Sequence, residues 1–470
     1  MNPAIFSRRA ALKSTAAGFG YLAFAGLSTL AAEKEGGQAA KKTHFPAKAK
    51  HVIFLCMEGA PSHVDTFDYK AKLPELDGKS MPRGRGGFGG KVLASPFKFK
   101  QHGSSGLWLS ELFPELAKQA DELCLLRGMH TDVPAHPQAF NQMHTGVFQF
   151  KRPSMGAWAF YGLGSENDNL PGFVTINPPF QNGGPANYGA AFLPARYQGT
   201  PIRTGGGGFG GGGGGFGRPG GSDGGVANIK NPKLSSGDQR KQLDFIQSLN
   251  REALERDPNS AGVEGAIESF ELAFRMQKDL PKLVDISGES AATKSLYGIG
   301  EQATEGFGRQ CLLARRLVEA GVRFVEITSN GWDHHNNLKT ALTGKCTSID
   351  KPIAGLIKDL KTKGLLKDTL ILWGGEFGRT PYAQGTDGRD HNHRGFTTWM
   401  AGGGTKGGFS YGATDDYGYE AVEGKMHIHD WHATILHLLG MDHEKLTYRY
   451  AGRDMRLTDV KGNVVKDIIA

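Results

Sequence analysis

Cysteine is scarce. The 470-residue chain has four, Cys56, Cys124, Cys311 and Cys346, far apart and without a Cys-x-x-Cys pair, which excludes zinc-finger and thioredoxin chemistry. Cys56 and Cys124 lie inside apolar runs and read as small buried hydrophobes. A one-sided charge is missing as well. Lys plus Arg number 55 against 47 Asp plus Glu; setting aside Arg8, Arg9 and Lys13, which precede the first acidic residue, Glu33, leaves an excess too mild for a nucleic-acid partner. No apolar runs suit a membrane-spanning bundle, no internal repeat is evident, and 39% hydrophobic residues exclude wholesale disorder. Glycine is the excess, at 69 residues. Much of it lies between Thr204 and Gly225, a stretch expected to be a flexible surface loop. That stretch lacks the Lys-Ser/Thr ending and the leading strand of a phosphate-binding loop.

The N-terminus reads as an address. Ser7-Arg8-Arg9-Ala10-Ala11-Leu12-Lys13 precedes a weakly apolar run of small residues from Ser14 to Ala32, followed by Glu33-Lys34-Glu35. The pattern resembles a twin-arginine signal with Ala11 in place of Phe. It implies the twin-arginine export machinery as a partner, cleavage near Ala31 or Ala32, a periplasmic or extracellular location, and no stable membrane span after cleavage. The division expected is a signal over 1–32, a linker over 33–50 and one domain over 51–470.

Beyond the linker, His51–Met57 reads as a fully buried strand stopped by Glu58-Gly59-Ala60-Pro61. Similar runs recur at Leu123–Leu126, Phe173–Ile176, Val322–Ile327, Thr369–Trp373 and Phe396–Met400. Helical patterns fall at Leu109–Gln119, Phe140–His144, Cys311–Glu319 and Ile349–Leu360. This alternation predicts a three-layer α/β/α sandwich around a mostly parallel sheet. Two long helical patterns, Asp238–Arg256 and Val263–Leu280, predict a helical insertion over about 238–280.

The chemistry collects at predicted strand ends, where open parallel sheets bind ligands. Glu58, Ser62, His63, Asp65, Thr66 and Asp68 follow the first strand, and His130, Thr131, Asp132, His136 and His144 follow the second. Asp333, His334 and His335 follow Val322–Ile327, Glu376 and Arg379 follow Trp373, and Arg389, Asp390, His391, His393 and Arg394 lead into Phe396. Singly, each cluster reads as a hydrogen-bonded turn. Together they supply the carboxylates and imidazoles that one or two divalent ions (Zn, Mn or Ca) require for phosphoryl or sulfuryl transfer. In the C-terminal group, His432 and His437 are expected to hydrogen-bond around a helix over Asp430–Leu439, with His427 and His429 as second-rank rim candidates.

Met57-Glu58-Gly59-Ala60-Pro61-Ser62-His63-Val64-Asp65-Thr66-Phe67-Asp68, Gly331-Trp332-Asp333-His334-His335, Gly375-Glu376-Phe377-Gly378-Arg379-Thr380-Pro381 and Gly388-Arg389-Asp390-His391-Asn392-His393 resemble domain-of-unknown-function family 1501, within the alkaline phosphatase and sulfatase superfamily. The resemblance implies an acidic ligand at Glu58 or Asp65, an Asp-His pair at Asp333 with His335 or His334, and a final ligand at His391 or His393. Glu376-Phe377-Gly378 is similar to an Asp-His-Gly triplet but replaces the imidazole. Thr145-Gly146 fits a pair that follows the nucleophile by nine residues, which puts His136 at that position, with Thr131 and Ser62 as nearby hydroxyls. There is no Cys-x-Pro-Ser-Arg, so a formylglycine sulfatase is disfavoured.

The expectation is therefore an exported, metal-dependent hydrolase of phosphate or sulfate esters, a sulfated or phosphorylated polysaccharide among the candidate substrates. One ion is expected on Asp333, His335, His393 and His391 and a second on Glu58, Asp65 and Glu376, with His63, His334 and Asp390 as further candidates from the same clusters. His136 would act as ligand, base or nucleophile, with Thr131 as a substitute hydroxyl, and Arg379 or Arg394 would contact the ester oxygens. The alternative is a non-catalytic, metal-containing binding protein for such polymers.

Overall fold

A computed structural model describes residues 40–80, 90–203, 233–257 and 261–470. The signal over 1–32 and the Gly-rich loop over 204–225 lie outside the described residues. No helix among the described residues is long and apolar enough to cross a membrane.

The apolar runs form the centre. Strands β1 (His51–Met57), β2 (Leu123–His130), β3 (Phe173–Ile176), β4 (Thr200–Ile202), β5 (Phe324–Ser329) and β6 (Thr369–Gly374) join one nine-stranded sheet. After β6 the chain makes a separate hairpin, β7 (Gly378–Gln384) with β8 (Gly388–Asn392). It then re-enters the sheet as β9 (Phe396–Gly402), followed by the short strands β10 (Phe409–Tyr411) and β11 (Met426–His427). The order is β10-β2-β9-β6-β1-β5-β3-β4, with β11 also on β2. All pairings are parallel except those of β9, which runs antiparallel to both β2 and β6. That reversal positions the site, because residues leading into β9 arrive at the rim where the other strands end.

Side chains alternate across the sheet as strand geometry requires. Ile53, Leu55 and Met57 enter one apolar layer and Val52, Phe54 and Cys56 the other. Helices α5 (Glu305–Glu319) and α6 (Leu338–Thr362) cover the first layer, while α1 (His136–Thr145), α2 (Met155–Leu163) and α7 (Ile428–Leu438) cover the second. Helices α3 (Ser236–Arg256) and α4 (Ala261–Val284) pack on each other, and α4 also packs on α5. The α/β/α expectation describes this arrangement.

Two local expectations are corrected. Leu109–Gln119 is no helix: Leu107–Ser110 pairs with Phe99–His102, and a 3₁₀ segment covers Leu116–Glu122. Pro114 interrupts the pattern, and the Asp350 carboxylate accepts the Glu115 and Leu116 backbone N–H groups at 2.9 and 2.8 Å, fixing a fresh start there. Helix α2, MGAWAFYGL, carries no polar face and so no helical periodicity; it is buried nearly throughout, capped by Ser154 and stopped by Gly164.

Candidate metal centre

Three loops converge where β1, β5 and β6 end. The Trp332 N–H donates to the Glu58 carbonyl at 3.1 Å, and the Gly59 N–H donates to both Glu376 carboxylate oxygens at 3.1 and 3.3 Å. Gly59 adopts φ +108°, and a Cβ there would sit 2.7 Å from the Asp333 backbone nitrogen. Only glycine lets the β1 and β5 loops touch. Gly388 does the same on the hairpin, where a Cβ would collide with the His335 carbonyl at 1.9 Å.

Onto this frame the chain delivers three imidazoles facing one carboxylate oxygen. Nε2 of His335, His136 and His391 lies 2.8, 3.2 and 3.5 Å from Asp333 Oδ1. Each ring is held from behind by its other nitrogen: His136 Nδ1 on Glu376 Oε1 at 2.5 Å, His391 Nδ1 on the Pro134 carbonyl at 2.6 Å, and His335 Nδ1 on Gln384 Oε1. A carbonyl or carboxylate oxygen can only accept, so these bonds put a proton on each Nδ1 and turn each Nε2 inward. His335 and His391 meet Nε2 to Nε2 at 3.0 Å, and the buried His136 Nε2 contacts Asp333 off the hydrogen-bonding axis, without a directional partner. Such a set could hold one cation. The four ligand atoms lie within 4.8 Å of one another.

The electrostatics agree. Burial disfavours charge on His136, but the Asp333 and Glu376 carboxylates outweigh it and raise its pKa to about 9. Burial would lift the Asp333 pKa, yet His136, His391 and Arg379 drive it far down. A pKa this high favours the imidazolium form of His136 at neutral pH.

The remaining candidates divide. Arg379 is fully buried with its donors committed, Nη2 to Asp333 Oδ1 at 2.6 Å and Nε to the Ala60 carbonyl at 2.9 Å, so it orients Asp333. Glu58 accepts from Asn182 Nδ2 at 2.7 Å and, mainly through burial, has a raised pKa; Glu376 adds to the shift. The expected trio of Glu58, Asp65 and Glu376 is not brought together, because Asp65 is locked to Arg389 at 2.7 and 3.0 Å and takes the Ser62 hydroxyl at 2.5 Å. His63 Nε2 is spent on the Gly418 carbonyl at 2.7 Å. His334 is not among the four grouped ligands; it is buried with Nδ1 unpartnered and its pKa lowered to about 4 by desolvation. Asp390 accepts the His391 N–H at 2.7 Å, and the Thr131 hydroxyl donates to Gln142 at 2.9 Å. His393 and Arg394 face a separate cavity with His130 and Thr131. Sequence reasoning missed Gln384, Pro134 and Asn182; none carries a local signal, because hairpin register and loop packing give them their roles.

Residues 49–469 match the family model described as protein of unknown function, DUF1501. The chain belongs to that family. A search of the curated proteins found no match. Among solved structures, it is similar to the PsFucS1 sulfatase from Pseudoalteromonas sp. (13% identity, 84% of this chain, 68% of that one, TM-score 0.36). It is also similar to Ps i-CgsB in complex with k-i-k-neocarrahexaose (10%, 83% and 72%, 0.37) and to alkaline phosphatase from the Antarctic bacterium TAB5 (11%, 77% and 94%, 0.32). Likeness at this level does not extend to site or activity.

Proposed function

We propose that this DUF1501 protein is an exported, metal-dependent hydrolase of phosphate or sulfate esters, working with one divalent ion on His136, Asp333, His335 and His391. The carrying observation is the convergence of three Nδ1-anchored imidazoles on one carboxylate oxygen. Three nitrogens and one oxygen suit Zn or Mn better than Ca, which takes oxygen ligands. Such an ion would supply Lewis-acid polarisation of the ester. The chain's own groups do the rest: Glu376 orients His136, Arg379 orients Asp333, and Glu58, whose pKa burial and Glu376 raise, is a candidate proton carrier. The Ser-Arg-Arg segment supports twin-arginine export.

The binding-protein reading draws on a separate observation: the nearby hydroxyls of Thr131 and Ser62 are spent on Gln142 and Asp65, leaving no hydroxyl nucleophile among them. Elemental analysis of the purified protein, followed by aryl phosphate and aryl sulfate turnover before and after chelation, separates the two. One ion per chain with chelator-sensitive turnover is expected; an ion without turnover favours binding, and a metal-free protein indifferent to added Zn or Mn overturns both.

A further inference from the structure

A cavity of about 190 Å³ lies beside the histidine cluster on the same rim. Its walls carry His130, His393, Arg394, Lys425 and Glu420. Against ~10–15 Å³ on the same measure for one water, it has room for an anionic group with ordered solvent. It shares two segments with the metal centre. The Thr131 N–H donates to the His393 carbonyl at 2.9 Å, tying the cavity wall together. From Thr131 the chain runs on to Pro134 and His136, and from His393 it runs back to His391. The two sites are thus neighbours along both strands of backbone.

The positive charge in the cavity is only partly answered, by Glu420 in its own wall. Arg394 makes no ion pair among the described residues and lies over the Tyr419 ring, 6.0 Å from its centroid. Lys425 reaches Glu420 only at 3.9 Å, with both side chains half exposed. A planar guanidinium fork beside an ammonium and two imidazoles is the donor set of a tetrahedral oxyanion. We propose that this cavity is a subsite for a second sulfate or phosphate group of the same substrate, so that the protein takes esters bearing two or more neighbouring anionic groups. The inference rests on the ester reading for its substrate but not for its anion site.

The test uses the Arg394→Gln/Lys425→Gln double variant of the full chain, with metal content measured throughout. The probes are 4-nitrophenyl sulfate, 4-nitrophenyl phosphate, a multiply sulfated oligosaccharide and a short polyphosphate. Loss of charge-assisted contacts should weaken binding of one multiply charged probe by about tenfold or more, and whichever probe responds identifies the source of the oxyanion. Metal content and binding of the singly charged probes should change less than about twofold. Equal loss on singly and multiply charged probes, or no loss on either of the latter, overturns the subsite.

A second readout separates the two readings. In Asp333→Ala protein, inorganic sulfate or phosphate should still shift the His130 and His393 ring signals in NMR spectra, and the double substitution should abolish the shift. If it does while no ester is bound or turned over by the wild type, the ester reading fails and the anion site stands. Ring signals unmoved by either ion overturn the anion site itself.

Discussion

Two histidines on this sheet, His136 and His432, are built from the same side chain and tuned in opposite directions. In the metal centre, His136 lies between Glu376 and Asp333 and its pKa rises to about 9. In the group around α7, His432 is fully buried and bonded to the Met143 carbonyl at 2.7 Å, and desolvation, with neighbouring imidazoles, lowers its pKa to about 3. His427, likewise lowered to about 4 by burial, caps α7 by accepting the His429 N–H, while Asp430 returns the favour to the His427 N–H at 2.9 Å. Carboxylates make the difference. His136, between two of them, holds charge; His432, on a carbonyl, stays neutral and serves packing, and burial holds His427 low even with Asp132 at 3.2 Å.

The sharpest way to break that comparison is Asp333→Ala, which should abolish stoichiometric metal uptake in elemental analysis, while His393→Ala leaves it intact. Retained metal in the first variant would sink the centre. Next is pH. His136 is protonated at neutral pH when no ion is present, so uptake should release a proton, and affinity should fall about tenfold per unit, roughly 100-fold from pH 8 to 6, in a chelator competition. A flat profile would mean His136 is no ligand. Glu376→Gln, which keeps the ring's neighbour but removes its charge, should cost about 10–100-fold in affinity.

The smallest effect belongs to the other group. His432→Ala should leave metal uptake unchanged and lower stability by about 2–3 kcal/mol in urea titration, from the cavity and the orphaned Met143 carbonyl. The sign with pH follows from its lowered pKa: the wild-type contribution is present above ~6.5 and fades as pH falls toward about 3, because the unfolded chain then binds the extra proton. The variant should therefore approach wild-type stability in acid. His136 in the metal-free protein has the opposite sign, its contribution fading as pH rises through about 9.

Much of the site was legible as residue types. Asp333, His335 and His391 were all candidate ligands, and the strand ends that carry them follow from apolar runs broken by Gly and polar residues. His136 was open as ligand, base or nucleophile, and only the fold brings it among the ligand atoms. Asp65 looked like a ligand and proves to be half of a buried pair with Arg389, because nothing near Asp65 in the sequence announces a partner 324 positions away. Arg379 looked free to meet substrate, yet its donors are consumed by Gly59, Ala60 and Asp333.

By itself the sequence determined the layered α/β fold, the glycines that let loops touch, and a supply of imidazole and carboxylate at the strand ends, since all of these follow from local pattern and chain stiffness. Tertiary structure decided which of them meet. The reversed β9 and the β7–β8 register send His391 to Asp333 and leave His393 at the neighbouring cavity, only two residues on. Register is set by long-range pairing, and a shift of one residue would exchange the faces.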